Sequence, residues 1–206
     1  MKSAIKLSLV LILTLFLSSC KEGKSNNDDN NPTVEHPYSY GYDCKGNVAV
    51  NGYALPPCPD PKINDETLLG IDVNNNGVRD DVERWLIARY KNDHKIVTEI
   101  GFQASKAHQF MLANPDKPEE ARQAINGAQA CNWYFKYDAD EFGDPILIDH
   151  SISTSIAFDT IQLNTEERIR AYLAYDRKLG GEIYRLPRAD EEKALCTFDV
   201  DTLLGD

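Results

Sequence analysis

The chain has 206 residues, 42% of them hydrophobic and 9% aromatic, which is enough to bury the core of one domain plus appendages. Its 22 basic and 33 acidic residues leave a net charge of −11, with no basic stripe anywhere along the chain. That balance disfavours nucleic acid and anionic lipid head groups as partners, and it favours solubility and cations.

Residues 1–19 read as an export signal. Lys2 and Lys6 supply a positive start, and Leu7 to Leu17 is an apolar run broken only by Ser8 and Thr14. The run is too short to cross a hydrocarbon layer of ~30 Å as a helix. It ends in Leu17-Ser18-Ser19-Cys20. This resembles the lipobox of bacterial lipoproteins: an aliphatic residue, two small ones, then the cysteine that is lipidated and becomes residue one. The alternative is an ordinary cleavable signal whose Cys20 later joins a disulfide. Each buried methylene contributes ~0.8 kcal/mol, so a multiply acylated Cys20 is a firm membrane anchor. Lys21, in place of an aspartate, points by resemblance to enteric lipoproteins to the outer membrane of the cell envelope, on its periplasmic or its surface face.

Residues 20–35 follow as the lipidated cysteine and a tether. Lys21 to Asn31 (KEGKSNNDDNN) holds almost no apolar group that could offset the entropy of ordering it. Residues 36–63 change character. Tyr38, Tyr40 and Tyr42 alternate, Val48 and Val50 alternate, and Lys45-Gly46-Asn47 and Asn51-Gly52 are turn signals. This predicts a small β-hairpin, with Pro56, Pro57, Pro59 and Pro61 excluding helix after it. The tyrosines fit a half-buried strand better than a carbohydrate-stacking face.

Residues 64–206 form the fourth part, and it begins with the strongest chemical signal. Asp72-Val73-Asn74-Asn75-Asn76-Gly77-Val78-Arg79-Asp80-Asp81-Val82-Glu83 places oxygen-bearing side chains at positions 1, 3, 5, 9 and 12, with glycine at 6. That spacing wraps a twelve-residue loop around a calcium ion, a hard cation that takes six to eight oxygens. The expected ligands are the side chains of Asp72, Asn74 and Asn76, the Val78 carbonyl, Asp80 directly or through water, and both oxygens of Glu83. Gly77 stands where the chain turns sharply. The stretch resembles an EF-hand loop and, more closely, the calcium loops of thrombospondin type 3 repeats. It departs from an EF-hand at position 8, usually an aliphatic that pairs with a second loop; here Arg79 stands there, and the aliphatic is Val78. Asp72, Asp80 and Glu83 are the only charged ligands, so weak structural binding at roughly 10⁻⁴–10⁻³ M is expected. An Asn-rich turn capped by acids at a helix start, with no metal, is the alternative.

From Asp80 onward the period is helical. Val82, Trp85, Leu86 and Tyr90 mark one helix. Ile96, Val97, Ile100, Ala104, Ala107 and Met111 mark a second, ending before Asn114-Pro115. Ala121, Ala124, Ile125, Ala128, Cys131 and Phe135 mark a third. Asp144-Pro145 opens a fourth through Ile148, Ile152 and Ile156, with two short strands as the rival. Asn164 and Glu167 form a capping box for a fifth, carrying Ile169, Tyr172, Leu173 and Leu179 and stopped by Gly180-Gly181. A last short helix spans Glu191–Cys196. The expected fold is therefore mainly α: a bundle of about five helices with a small N-terminal disulfide-tied β-hairpin. With Cys20 acylated, four cysteines remain. Of three possible pairings, Cys44–Cys58 across the hairpin and Cys131–Cys196 from the C-terminus to a central helix are favoured.

Other chemistry is weaker. Asp149-His150-Ser151 has the residue types of a hydrolase triad, but neighbours on a helix point about 100° apart. His36, His94, His108 and His150 show no close metal spacing. Asp138, Asp140 and Asp144 around Gly143 are a lesser second calcium candidate, because the glycine is misplaced. The expectation is a lipid-anchored envelope protein with one structural Ca2+, non-catalytic, bound to another envelope component or protein. An exported hydrolase acting on envelope or extracellular polymer, with calcium in support, is the alternative.

Overall fold

A computed structural model describes Cys44, residues 49–180 and residues 185–205. The signal at 1–19, Cys20, the tether, His36, Tyr38, Tyr40, Tyr42 and Val48 lie outside the described residues. All described residues belong to one compact unit, 36–206.

The molecule is mainly helical. β1 (Ala49–Val50) and β2 (Tyr53–Ala54) form an antiparallel hairpin with Val50 opposite Tyr53. Asn51 and Gly52 turn it at φ 51° and 81°, which is why an Asn-Gly pair stands there. Then come α1 (Pro61–Asp65), α2 (Asp80–Arg89), α3 (Lys95–Ala113) and α4 (Pro118–Trp133). α4 runs on into a π-turn, Tyr134–Asp138, and a 3₁₀ turn, Ala139–Phe142. α5 (Ile156–Gln162), α6 (Glu166–Lys178) and α7 (Ala189–Glu192) follow. A 3₁₀ turn at Lys193–Leu195 and α8 (Val200–Leu204) complete it. None of the described helices is long and apolar enough to cross a membrane.

α3 and α4 are the central pair, and α2, α6 and α8 pack on α3. Every apolar position expected for α2 and α3 is buried, from Val82 and Leu86 to Ile96, Ile100 and Met111. Gly101 lets α2 approach closely: a Cβ there would stand 2.5 Å from Leu86 Cδ2. The hairpin docks on α3 through Tyr53, whose hydroxyl donates to Glu99 Oε1 at 2.9 Å and whose ring meets Phe102 edge-on at 5.5 Å. Disulfides join Cys44 to Cys58 and Cys131 to Cys196, the favoured pairing.

Several expected elements differ. Pro61 does not exclude helix; it opens α1, because Asp60 caps that turn by accepting from Lys62 N and Ile63 N, and the first helical position needs no N–H. Residues 145–155 are neither helix nor strands. Their backbone is satisfied by side chain and loop instead, with Asn132 Oδ1 accepting from Ile152 N at 2.8 Å and Phe135 O accepting from Leu147 N at 3.0 Å. The cap of α6 is Thr165, one residue beyond Asn164, and it accepts from Arg168 N at 3.2 Å. The inward face of α6 also differs. Ile169 and Leu173 are exposed (44% and 45%), while Arg168 is fully buried. The last expected helix, Glu191–Cys196, is α7 and a 3₁₀ turn, with α8 beyond it.

Candidate metal centre

Residues 72–83 fold inward on themselves. Asp72 accepts from two backbone amides across the loop, Oδ1 from Asn76 N at 3.2 Å and Oδ2 from Gly77 N at 2.8 Å. Asn74 Oδ1 accepts from Asn76 N at 3.1 Å, and Asn76 Oδ1 from Val78 N at 2.8 Å. Gly77 takes φ +84°, the left-handed turn that position 6 demands. Asp80 N donates to Ile71 O at 2.8 Å, closing the mouth of the loop as α2 begins.

The acids at positions 9 and 12 are the unusual part. Asp80 is fully buried and Glu83 is 4% exposed. Asp80 accepts from Val73 N at 3.2 Å. Glu83 Oε2 accepts from Asn76 Nδ2 at 2.8 Å and from Asn74 Nδ2 at 3.2 Å. Burial pushes the Asp80 carboxyl above its ordinary range. The Val73 amide pulls against that, while the charges of Asp72 and Asp81 add to it. Burial likewise raises Glu83, opposed by its bonds from Asn76 and Asn74 and reinforced by the charges of Asp80 and Asp72. Two carboxylates are thus buried at the start of α2, with Asp72 half-buried nearby, and the side-chain amides of Asn74 and Asn76 turn their N–H groups toward Glu83.

This set brings together Asp72, Asn74, Asn76, Asp80 and Glu83. It is chemically suited to a hard cation, since it offers oxygen donors and neither thiol nor imidazole. The Val78 side chain is buried in the core (0% exposed), which fixes the backbone at position 7. Among the described residues, no group of three or more His, Cys, Asp or Glu side chains converges as a metal cluster. In the loop, asparagines stand between the acids.

The other candidates are placed elsewhere. His150 Nδ1 bonds Asp149, possible because the stretch is not helical, but Ser151 Oγ accepts from Lys136 Nζ at 3.3 Å. His108 is buried, its Nδ1 2.9 Å from Ala104 O, and burial lowers its pKa so that it packs neutral against Phe158. Asp144 accepts from Tyr134 Oη at 2.6 Å and pairs with Lys193 at 2.7 Å. A small groove of about 90 Å³ between α3 and α6 is lined mainly by apolar groups such as Leu68, Met111 and Tyr175.

Sequence reasoning missed the polar girdle around the loop. Arg79 and Arg168 are both fully buried. Arg168 donates to the carbonyls of Asn64 (2.7 Å), Thr67 (3.1 Å) and Leu68 (3.0 Å), to Asn164 Oδ1, and to Asp65 Oδ1 at 2.9 Å. Asn64 Nδ2 donates to Asp81 Oδ2 at 3.2 Å. Only the odd position of Arg79 in a calcium-type loop signalled any of this. Comparison with known protein families, curated proteins and solved structures finds no match to the chain.

Proposed function

We propose that the protein is a lipid-anchored component of the bacterial cell envelope that binds one structural calcium ion and has a non-catalytic, interaction role. The observation that carries the metal reading is the inward-folded loop, in which Asp80 and Glu83 are buried with raised pKa values beside Asp72. Buried carboxylates of this kind are costly to charge, and a divalent cation beside them would relieve that cost. Asp72, Asn74, Asn76, the Val78 carbonyl, Asp80 and Glu83 would hold the ion. When bound, it supplies positive charge that neutralises the three carboxylates and braces the chain ahead of α2. The anchor rests on Leu17-Ser18-Ser19-Cys20, and the acidic balance of the chain turns it toward cations and away from nucleic acid.

Calorimetric titration of the lipid-free mature chain with calcium tests the reading. The wild type should give saturable heat with a dissociation constant at roughly 10⁻⁴–10⁻³ M, and Glu83→Gln should abolish it. The melting temperature should rise with calcium and fall back on chelation. A wild-type chain that gives no heat at millimolar calcium refutes the site.

A further inference from the structure

Arg79 stands between two presumed ligands, the Val78 carbonyl and Asp80, yet its side chain leaves the loop. Its guanidinium grips Asp81 with two bonds, Nε to Oδ1 at 2.5 Å and Nη2 to Oδ2 at 3.1 Å. It then reaches the end of α5, with Nη1 donating to Gln162 O at 3.2 Å and Nη2 to Ile161 O. Those two carbonyls lie in the last turn of α5, where a helix leaves acceptors without internal partners and carries partial negative charge.

The stem of Arg79 is equally constrained. Gly70, at φ +69°, passes so close that a Cβ would stand 2.9 Å from Arg79 Cγ and 2.7 Å from Asn64 Oδ1. Asn64 Oδ1 also accepts from Ile71 N at 3.0 Å, so the segment leading into the loop, Asp81 and Arg79 form one connected block. Because Asp81 balances its charge, Arg79 does not oppose a cation in the loop. In an EF-hand an aliphatic at this position pairs with a second loop. Here the C-terminal turn of α5 occupies that supporting role, and a guanidinium makes the connection.

We infer that Arg79 is a positioning residue for the metal loop, bolting its mouth to the C-terminal end of α5 so that calcium affinity and the order of α5 depend on each other. The inference rests on the calcium reading above. With its side chain clasped at Asp81 and α5, Arg79 holds the backbone of its neighbours Val78 and Asp80 before the ion arrives, which removes part of the ordering cost of binding.

The test compares the mature wild-type chain with Arg79→Met and Arg79→Lys, at a temperature where circular dichroism shows all three folded without calcium. Calcium itself is the probe. Arg79→Met should weaken the titrated affinity about 10-fold, because the mouth of the loop must then be ordered on binding. Arg79→Lys should recover part of it, one donor replacing the fork. Hydrogen exchange gives a readout that mere loss of stability would not move. In the wild type, calcium should slow exchange at residues 156–163, far along the chain from the loop. In Arg79→Met, saturated with calcium, that slowing should vanish. Unchanged affinity in Arg79→Met, or equal protection of 156–163 in both chains, overturns the inference and leaves the calcium reading standing. A wild type that takes up no calcium overturns both.

Discussion

Opening the Cys131–Cys196 disulfide tests how the C-terminal arm is held. Cys131 is fully buried on α4, and Cys196 lies 65 residues on, just after the final 3₁₀ turn. In the chain-entropy treatment, a closed loop of that length is worth about 4 kcal/mol at 25 °C, against about 3 kcal/mol for the 14-residue separation of Cys44 and Cys58. The arm has a second fastening: Gln103 Nε2 donates to Leu195 O at 2.8 Å, and its Oε1 accepts from Thr197 N at 3.1 Å. Each such bond contributes about 1 kcal/mol net, so the arm should stay docked without the disulfide while the fold loses stability. For a domain of this size, about 4 kcal/mol corresponds to a melting point lowered by roughly 8–16 °C. Scanning calorimetry of Cys131→Ala/Cys196→Ala, beside Cys44→Ala/Cys58→Ala and the wild type without reductant, measures it. A fall below about 3 °C for the first pair, or a larger fall for the second, would refute the reasoning.

Arg168→Met should cost about 3–5 kcal/mol in denaturant unfolding, since it strands Asp65 and the carbonyls of Asn64, Thr67 and Leu68. Gly70→Ala should cost about 2–4 kcal/mol in the same assay, combining a left-handed backbone with overpacking against Arg79 and Asn64; a neutral result would mean the segment yields freely. Glu192 is 5% exposed, and burial, then its hydrogen bond with the Asp138 carboxyl and that group's charge, push its pKa up to about 7 from 4.5. Its folded form keeps a proton that the unfolded chain releases, so stability should fall as pH rises from 4.5 to about 7 and level off above. Unfolding at pH 5 and pH 8 should show Glu192→Gln losing that slope, a difference of at most about 3 kcal/mol; parallel pH profiles would remove Glu192 as its source.

The central helices were legible because their burial is apolar. Val82, Leu86, Ile96 and Ile100 fall at helical spacing, and hydrophobic period reports such faces directly. α6 was legible in extent and misleading in orientation. A fully buried Arg168 looks like a solvent residue to any hydrophobicity scale, and the exposed pair Ile169 and Leu173 looks like a core face. Residues 145–155 failed for a related reason: their β-branched residues suggest regular structure, whereas Asn132, distant in sequence, satisfies their backbone. The π-turn at Tyr134–Asp138 had no local signal; it lies between α4 and α7 of the C-terminal arm. At the candidate site, the spacing named the residues of the proposed loop, and the structure shows Asn74 and Asn76 bonded to Glu83 within it. The support of that loop was not legible, because Arg79 reaches partners 82 and 83 residues away.

The two buried arginines bear on the order in which the chain matures. A ribosome delivers Asn64, Asp65 and the 72–83 loop well before Ile161, Gln162 and Arg168, their distant anchors. Until those arrive, the carbonyls of Asn64, Thr67 and Leu68 lack Arg168, and the local Arg79–Asp81 pair lacks the end of α5 that it clasps. Such a nascent chain cannot finish folding from its front end, and loop closure across about a hundred residues slows it further. For the export proposed above, that delay would keep the chain open while it crosses, its two arginine anchors closing only after the last helices emerge.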